Sequence, residues 1–502
     1  MDSAVITNPV MWADVPDVDV IRTGSAFYMV STSMHSMPGC PIMKSENLSD
    51  WEIVNYVYDI LEDHPAHRLE DGKSIYGSGS WAASLRCRAG VYYVCFSSND
   101  MGRFYIYRAT DIEQGPWERS VIPGLHHDPA LLLDDDNRSY VIYGNGEIWI
   151  RELTADLTAV KPGGTDRLLI EGEREDIGLR IEGCHAHKRN GYYYLFFIEW
   201  PSGGNCRRRQ LCYRSRELLG PYERRVLLDD DLGYRNNGVA QGGIVDTPAG
   251  DWYSVLFQDH GAVGRIPYVL PVNWEQDWPV IGDKGKVPQA FLTKLPAGQA
   301  KPLVISDEFN YASDKLALNW QWNHNPDNAL WSVTERPGYL RLRSGRTADS
   351  ILQARNTLTQ RTEGPACSAE TMLDLAGLEH GDRAGLAALQ SGYGTVEVAA
   401  GADGKFTVNM CVNGGDGRAQ TVESVVFCGG QVHLRIDFDF TDSLDQAQFF
   451  YSPDGAAWIP IGRTLHMKYT LDHFMGYRIG LFHYATRNSG GYADFDYFRY
   501  RR

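Results

Sequence analysis

Three carboxylates in short, distinctive contexts are the residues of this chain best placed to do chemistry. They are Asp17 in VPDVDVIRTG, Asp128 in HHDPALLLDDDN and Glu182 in IEGCHAHKRNG. Each stands seven to nine residues before a turn, and so do Trp81 in SWAASLRCRAG and Gln241 in AQGGIVDTPAG. Taken singly, a carboxylate of this kind is ordinarily a solvated turn residue; the shared position of all three is what argues otherwise. Like charges gathered at one place are unfavourable unless their surroundings separate their proton affinities. Glu182, in an apolar and partly basic setting, could be held protonated while Asp17 stays ionised. An acid and a base facing each other across a pocket are the minimum equipment for glycoside hydrolysis. Asp19 shares a strand face with Asp17 because residues two apart point the same way, yet it has no counterpart in the other segments.

The elements that must position these residues form a repeat. Five segments share one grammar, a turn followed by an aromatic-rich strand: TGSAFYMVSTS (23–33), AGVYYVCFSSND (89–100), DNRSYVIYGNG (136–146), NGYYYLFFIEW (190–200) and AGDWYSVLFQD (249–259). They recur at intervals of about 47 to 66 residues, and an outer element with Trp or Tyr follows several of them, as in DWEIVNYVYD, GPWERSVI and GPYERRVLL. Turn, strand and turn at this pitch, with almost no helical periodicity, predicts propeller blades. In a five-bladed propeller the five residues named above occupy equivalent places, so three carboxylates, a Trp and a Gln converge on one end of the central channel.

At 502 residues the chain exceeds a single core and calls for two or three domains. A composition of 43% apolar and 22% charged residues is that of a soluble globular protein, and 28 Tyr with 13 Trp suit both β structure and sugar stacking. A net charge of −16 argues against nucleic acid or an anionic membrane as partner. Nine scattered cysteines without a CxxC pair point to free thiols in a reducing compartment, and the N-terminus carries no signal-peptide pattern, so a cytoplasmic location is expected.

With Pro16-Asp17, Asp128-Pro129 and Glu182-Gly183 in this order and spacing, the chain resembles family 43 of the glycoside hydrolases, a group of five-bladed β-propellers. The resemblance spans about residues 6–295. It implies that Asp17 is the general base that activates water and Glu182 the general acid. Asp128 then raises the proton affinity of Glu182 and holds it in place. It further implies inversion of configuration, with the two carboxyls roughly 6.5–9.5 Å apart to admit a water. Arg265, in FQDHGAVGRIP, matches an arginine that reaches sugar hydroxyls; Trp81 is expected to wall the sugar ring and His35 to line the pocket rim. A structural Ca²⁺ at the propeller axis is also implied. Many members place a histidine near it, whereas this chain has Gln241 there, so Gln241 and His260 are the expected ligands.

After the Pro/Gly/Ala stretch LPAGQAKPLVISDEF the pattern changes to short alternating strands with Gly-rich turns, such as GYLRLRSG and QVHLRIDFDF. This reads as a β-sandwich, and it resembles the lectin-like, concanavalin-type C-terminal domain of some family 43 β-xylosidases and arabinofuranosidases, where a sandwich loop closes one side of the pocket. The expected class is all-β, with a propeller over residues 1–297, a linker at 298–304 and a sandwich over 305–502. DEF at 307–309 and DFDYF at 494–498 are candidates for a second cation. The resulting expectation is an exo-acting inverting glycosidase that removes terminal xylose or arabinofuranose from xylo-oligosaccharides or arabinoxylan fragments. An endo-acting arabinanase and a non-catalytic carbohydrate-binding propeller are the alternatives.

Overall fold

The computed structural model describes residues 4–414 and 419–502. Five four-stranded antiparallel sheets follow one another along the first part of the chain. Blade I runs from the inner strand Asp19–Thr23 to the outer strand Glu52–Tyr58, and blade II from Ser80–Arg88 to Glu118–Pro123. Blades III, IV and V run from Ala130–Leu133 to Asp166–Glu171, from Ile177–Arg189 to Glu223–Leu228, and from Ile244–Asp246 to Trp278–Ile281. Each aromatic-rich segment read from the sequence supplies the second strand of its blade, including Ala26–Val30, Val91–Ser98 and Trp252–Asp259. The aromatic rings fill the space between blades; Phe27, Phe96, Tyr140, Phe196 and Phe257 are fully buried, and burial of this kind drives the fold.

The second domain is two packed sheets. In one, the strands run in the order Gln420–Phe427, Phe406–Val412, Gly394–Ala400, Asp382–Leu389, Arg478–Ala485, Leu358–Arg361 and Gln321–Asn323. Its last strand is Ser36–Met37, donated by the propeller, with Met37 opposite Trp322 and Ser36 opposite Asn323. A sheet shared by both domains is a docked arrangement rather than a tethered one. A buried carboxylate reinforces it: Asp14 accepts from the backbone N–H of Arg265 at 2.8 Å in blade V and from that of Gly476 at 2.9 Å in the sandwich. Gly476 has no room for a side chain, since a Cβ there would lie 2.3 Å from the Val263 carbonyl oxygen.

Candidate active site

All five inner strands are irregular at the same level. Asp17, Asp128 and Gln241 have positive φ of 53°, 44° and 68° just before the inner strands of blades I, III and V. In blades II and IV the register shifts around Trp81 and around Glu182. Non-glycine residues in the left-handed region carry strain of order 1–3 kcal/mol and concentrate at functional sites. Blade IV resolves the same kink with Gly183, at φ 69°, where a Cβ would come within 2.9 Å of the Gln241 side chain. The glycine of the Glu-Gly pair is therefore required by backbone conformation and by packing against Gln241.

The three carboxylates stand on separate supports. Asp17 is buried; it accepts from the Thr32 hydroxyl at 2.6 Å and from Arg265 Nη1 at 2.9 Å. Glu182 Oε2 meets Asn145 Nδ2 at 2.5 Å and His127 Nε2 at 3.1 Å. Asp128 Oδ2 accepts from the Gly183 N–H at 3.1 Å and lies 3.6 Å from the same His127 nitrogen. Burial pushes the Asp128 carboxyl up to about 6, with Glu182 and Asp17 adding to the shift and His127 opposing it. Burial alone would lower His127, but Asp128, Glu182 and Asp17 outweigh it and raise the imidazole to about 9. A cationic imidazole thus sits between two carboxyl groups.

The wall of the site comes from both domains. Trp81 meets His127 edge-on at 5.8 Å and stacks on Phe474 of the sandwich at 5.5 Å with 12° between the rings. The Arg265 guanidinium lies 4.8 Å from the centre of the same Phe474 ring. Trp81, Arg265 and the carboxylates are therefore brought together, and a sandwich loop closes one side. His35 is placed elsewhere: it is 1% exposed and packs among Tyr76, His324 and His473. It does not line an open rim because the adjoining segment Ser36–Met37 is taken up as an edge strand of the sandwich sheet. His127, Asn145 and Phe474 escaped the sequence reading. The first two lie inside segments already singled out, HHDP and DNRSYVIYGNG, so adjacency to a motif was the available signal; Phe474 had none.

Residues expected to hold an axial cation do not fit one. His260 Nε2 is engaged by Gln258 Oε1 at 2.7 Å and the Tyr268 hydroxyl at 3.2 Å, its ring stacks on Tyr234, and burial lowers it to about 4. Gln241 packs its side chain against Gly183. The nearby Asp19, fully buried, already accepts from Ser84 Oγ, the Leu85 N–H, Arg86 Nη1 and His185 Nδ1 at 2.7–3.1 Å. A Ca²⁺ requires six to eight oxygen ligands, and the positive charge here is a guanidinium. The second candidate fares no better: Asp307 accepts from Trp320 and Tyr311, and Asp494 from Arg336 and Arg341.

Comparison with known proteins agrees with this geometry. A family profile for glycosyl hydrolases family 43 matches residues 6–279, and one for the beta-xylosidase C-terminal concanavalin A-like domain matches residues 306–501. A putative beta-xylosidase of Xylanibacter ruminicola is 32% identical over 92% of this chain and 84% of its own length. A xylosidase/arabinosidase of Butyrivibrio fibrisolvens is 27% identical over 68% of this chain and 69% of its own. A solved chain described as bifunctional GH43-CE, from Bacteroides eggerthii, superposes with a TM-score of 0.94 at 46% identity and is covered over 100% of this chain and 64% of that one. This chain thus spans under two thirds of that larger protein. The chain belongs to family 43 of the glycosyl hydrolases and is a glycosidase with a propeller and a concanavalin A-like sandwich.

Proposed function

We propose that the protein is an exo-acting, inverting glycosidase that releases terminal xylose or arabinofuranose from xylo-oligosaccharides and arabinoxylan fragments. The observation that carries this reading is the different support given to two carboxylates in one walled site. Asp17, held by Arg265 and Thr32, takes a proton from the attacking water. Glu182, held through one oxygen by Asn145 and His127, gives a proton to the leaving glycosidic oxygen. Water adds to the anomeric carbon as the bond to the leaving oxygen breaks, so the proton lost by Glu182 equals the one gained by Asp17. Asp128 keeps its place beside Glu182 through the Gly183 N–H. The Phe474–Trp81 stack closes one side of the site, which favours a chain end over the middle of a polymer. The relatives' names support xylose and arabinose as the released sugars. All nine cysteines are unpaired, which supports action on imported oligosaccharides in a reducing compartment.

Hydrolysis of p-nitrophenyl β-D-xylopyranoside and p-nitrophenyl α-L-arabinofuranoside by the native chain and by Glu182→Gln tests the reading. Turnover of either glycoside that collapses in the variant is the expected result, and the ratio of the two rates sets the main specificity. A native chain that binds xylo-oligosaccharide and cleaves neither glycoside overturns it.

A further inference from the structure

His127 is a half-buried, charged side chain that the acid–base pair does not itself require. Its Nε2 lies 3.1 Å from Glu182 Oε2 and 3.6 Å from Asp128 Oδ2, and the ligand-type atoms of all three residues fall within 4.8 Å of one another. Asn145 Nδ2 reaches the same Glu182 oxygen at 2.5 Å. Both contacts fall on Oε2, which leaves Oε1 to meet the leaving group. The imidazole is itself fixed, because the Trp81 ring stands edge-on to it at 5.8 Å and Trp81 is in turn clamped by Phe474.

We propose that His127 is a positioning residue for the acid step: its Nε2 hydrogen bond, with that of Asn145, anchors Glu182 through Oε2 and aims Oε1 at the glycosidic oxygen. Because catalytic groups must be held within a fraction of an ångström and some tens of degrees of productive geometry, losing one of two anchors lets the carboxyl rotate away. The chain of contact Phe474–Trp81–His127–Glu182 then links the sandwich to the acid. This inference rests on Glu182 being the acid.

Leaving-group dependence tests it, since protonation matters for a sugar leaving group and hardly at all for a dinitrophenolate. Native protein, His127→Phe and His127→Gln are assayed on xylobiose and on 2,4-dinitrophenyl β-D-xyloside, with Tm as the folding control. His127→Phe is expected to lose about 100-fold in kcat on xylobiose and under about fivefold on the dinitrophenyl glycoside, a split typical of damaged acid catalysis. His127→Gln, which keeps an N–H donor, recovers part of the xylobiose rate. Equal losses on both substrates, or no loss, overturn the role of His127 while leaving Glu182 as the acid. If Glu182→Gln itself shows no split between the two substrates, the parent reading fails instead.

Discussion

Two layers of the propeller channel, built by the same inner strands two or three residues apart, treat charge in opposite ways. In the lower layer Asp19 has no exposed surface and meets four donors, Ser84, Leu85, Arg86 and His185. Burial alone would raise its carboxyl, yet Arg86 and His185 hold it far below the usual carboxylate range. In the upper layer Asp128, with a single backbone donor and carboxylates as neighbours, is pushed up to about 6. The lower layer ties blades I, II and IV together through a satisfied ion pair. The upper layer keeps protons exchangeable. A propeller whose strands converge on an axis gathers charge there in any case, and this chain spends one layer on cohesion and the next on chemistry.

The largest effect that sharpens this contrast is in the upper layer. Glu182→Gln should lower kcat/KM on xylobiose by about 10³-fold, within the range of general acid catalysis, while Tm stays within a degree or two of native. The lower layer should behave in reverse. Arg86→Met strands a buried Asp19 charge and should destabilise the fold by about 3–5 kcal/mol, read by denaturant unfolding, while the kcat of the folded fraction stays near native. A Glu182 variant that unfolds, or an Arg86 variant that is stable but inactive, would erase the distinction.

Smaller effects probe the wall and the imidazole. Phe474→Ala removes a stacking partner of Trp81 and should reduce kcat/KM by about two- to tenfold, the worth of an aromatic pair, mostly through KM. His127, whose charge faces Asp128, Glu182 and Asp17, is raised from 6.5 to about 9. A raised group stabilises the fold fully below its unfolded value and loses that contribution as pH climbs through the folded one. The Tm advantage of native protein over His127→Gln should therefore shrink between pH 6.5 and about 9, by the equivalent of about 3 kcal/mol, since each tenfold change in proton affinity is worth about 1.4 kcal/mol. An advantage that is constant or grows with pH would show the imidazole to be neutral in the folded chain.

Much of this organisation is legible in sequence because its signals are local. Each blade repeats a turn and an aromatic strand, and Asp17, Asp128 and Glu182 sit beside the Pro or Gly that their kinked backbone needs. What stays hidden is set by contacts across the chain. Phe474 reaches Trp81 from another domain. His35 is withdrawn from the pocket because Ser36–Met37 pairs with Gln321–Asn323, nearly three hundred residues away. Asp19 has no counterpart in the other blades, and only its partners on blades II and IV reveal a structural hub where sequence offered a spare carboxylate. At this hub the positive charge facing Asp19 comes from Arg86.

The most direct test of the division of labour between Asp17 and Glu182 is the anomer first released from a β-xyloside, followed by proton NMR before mutarotation. A water activated by Asp17 on the face opposite the leaving group predicts α-xylose as the initial product. Initial release of β-xylose would mean a covalent intermediate on a carboxylate, and would contradict the assignment of Asp17 as a base.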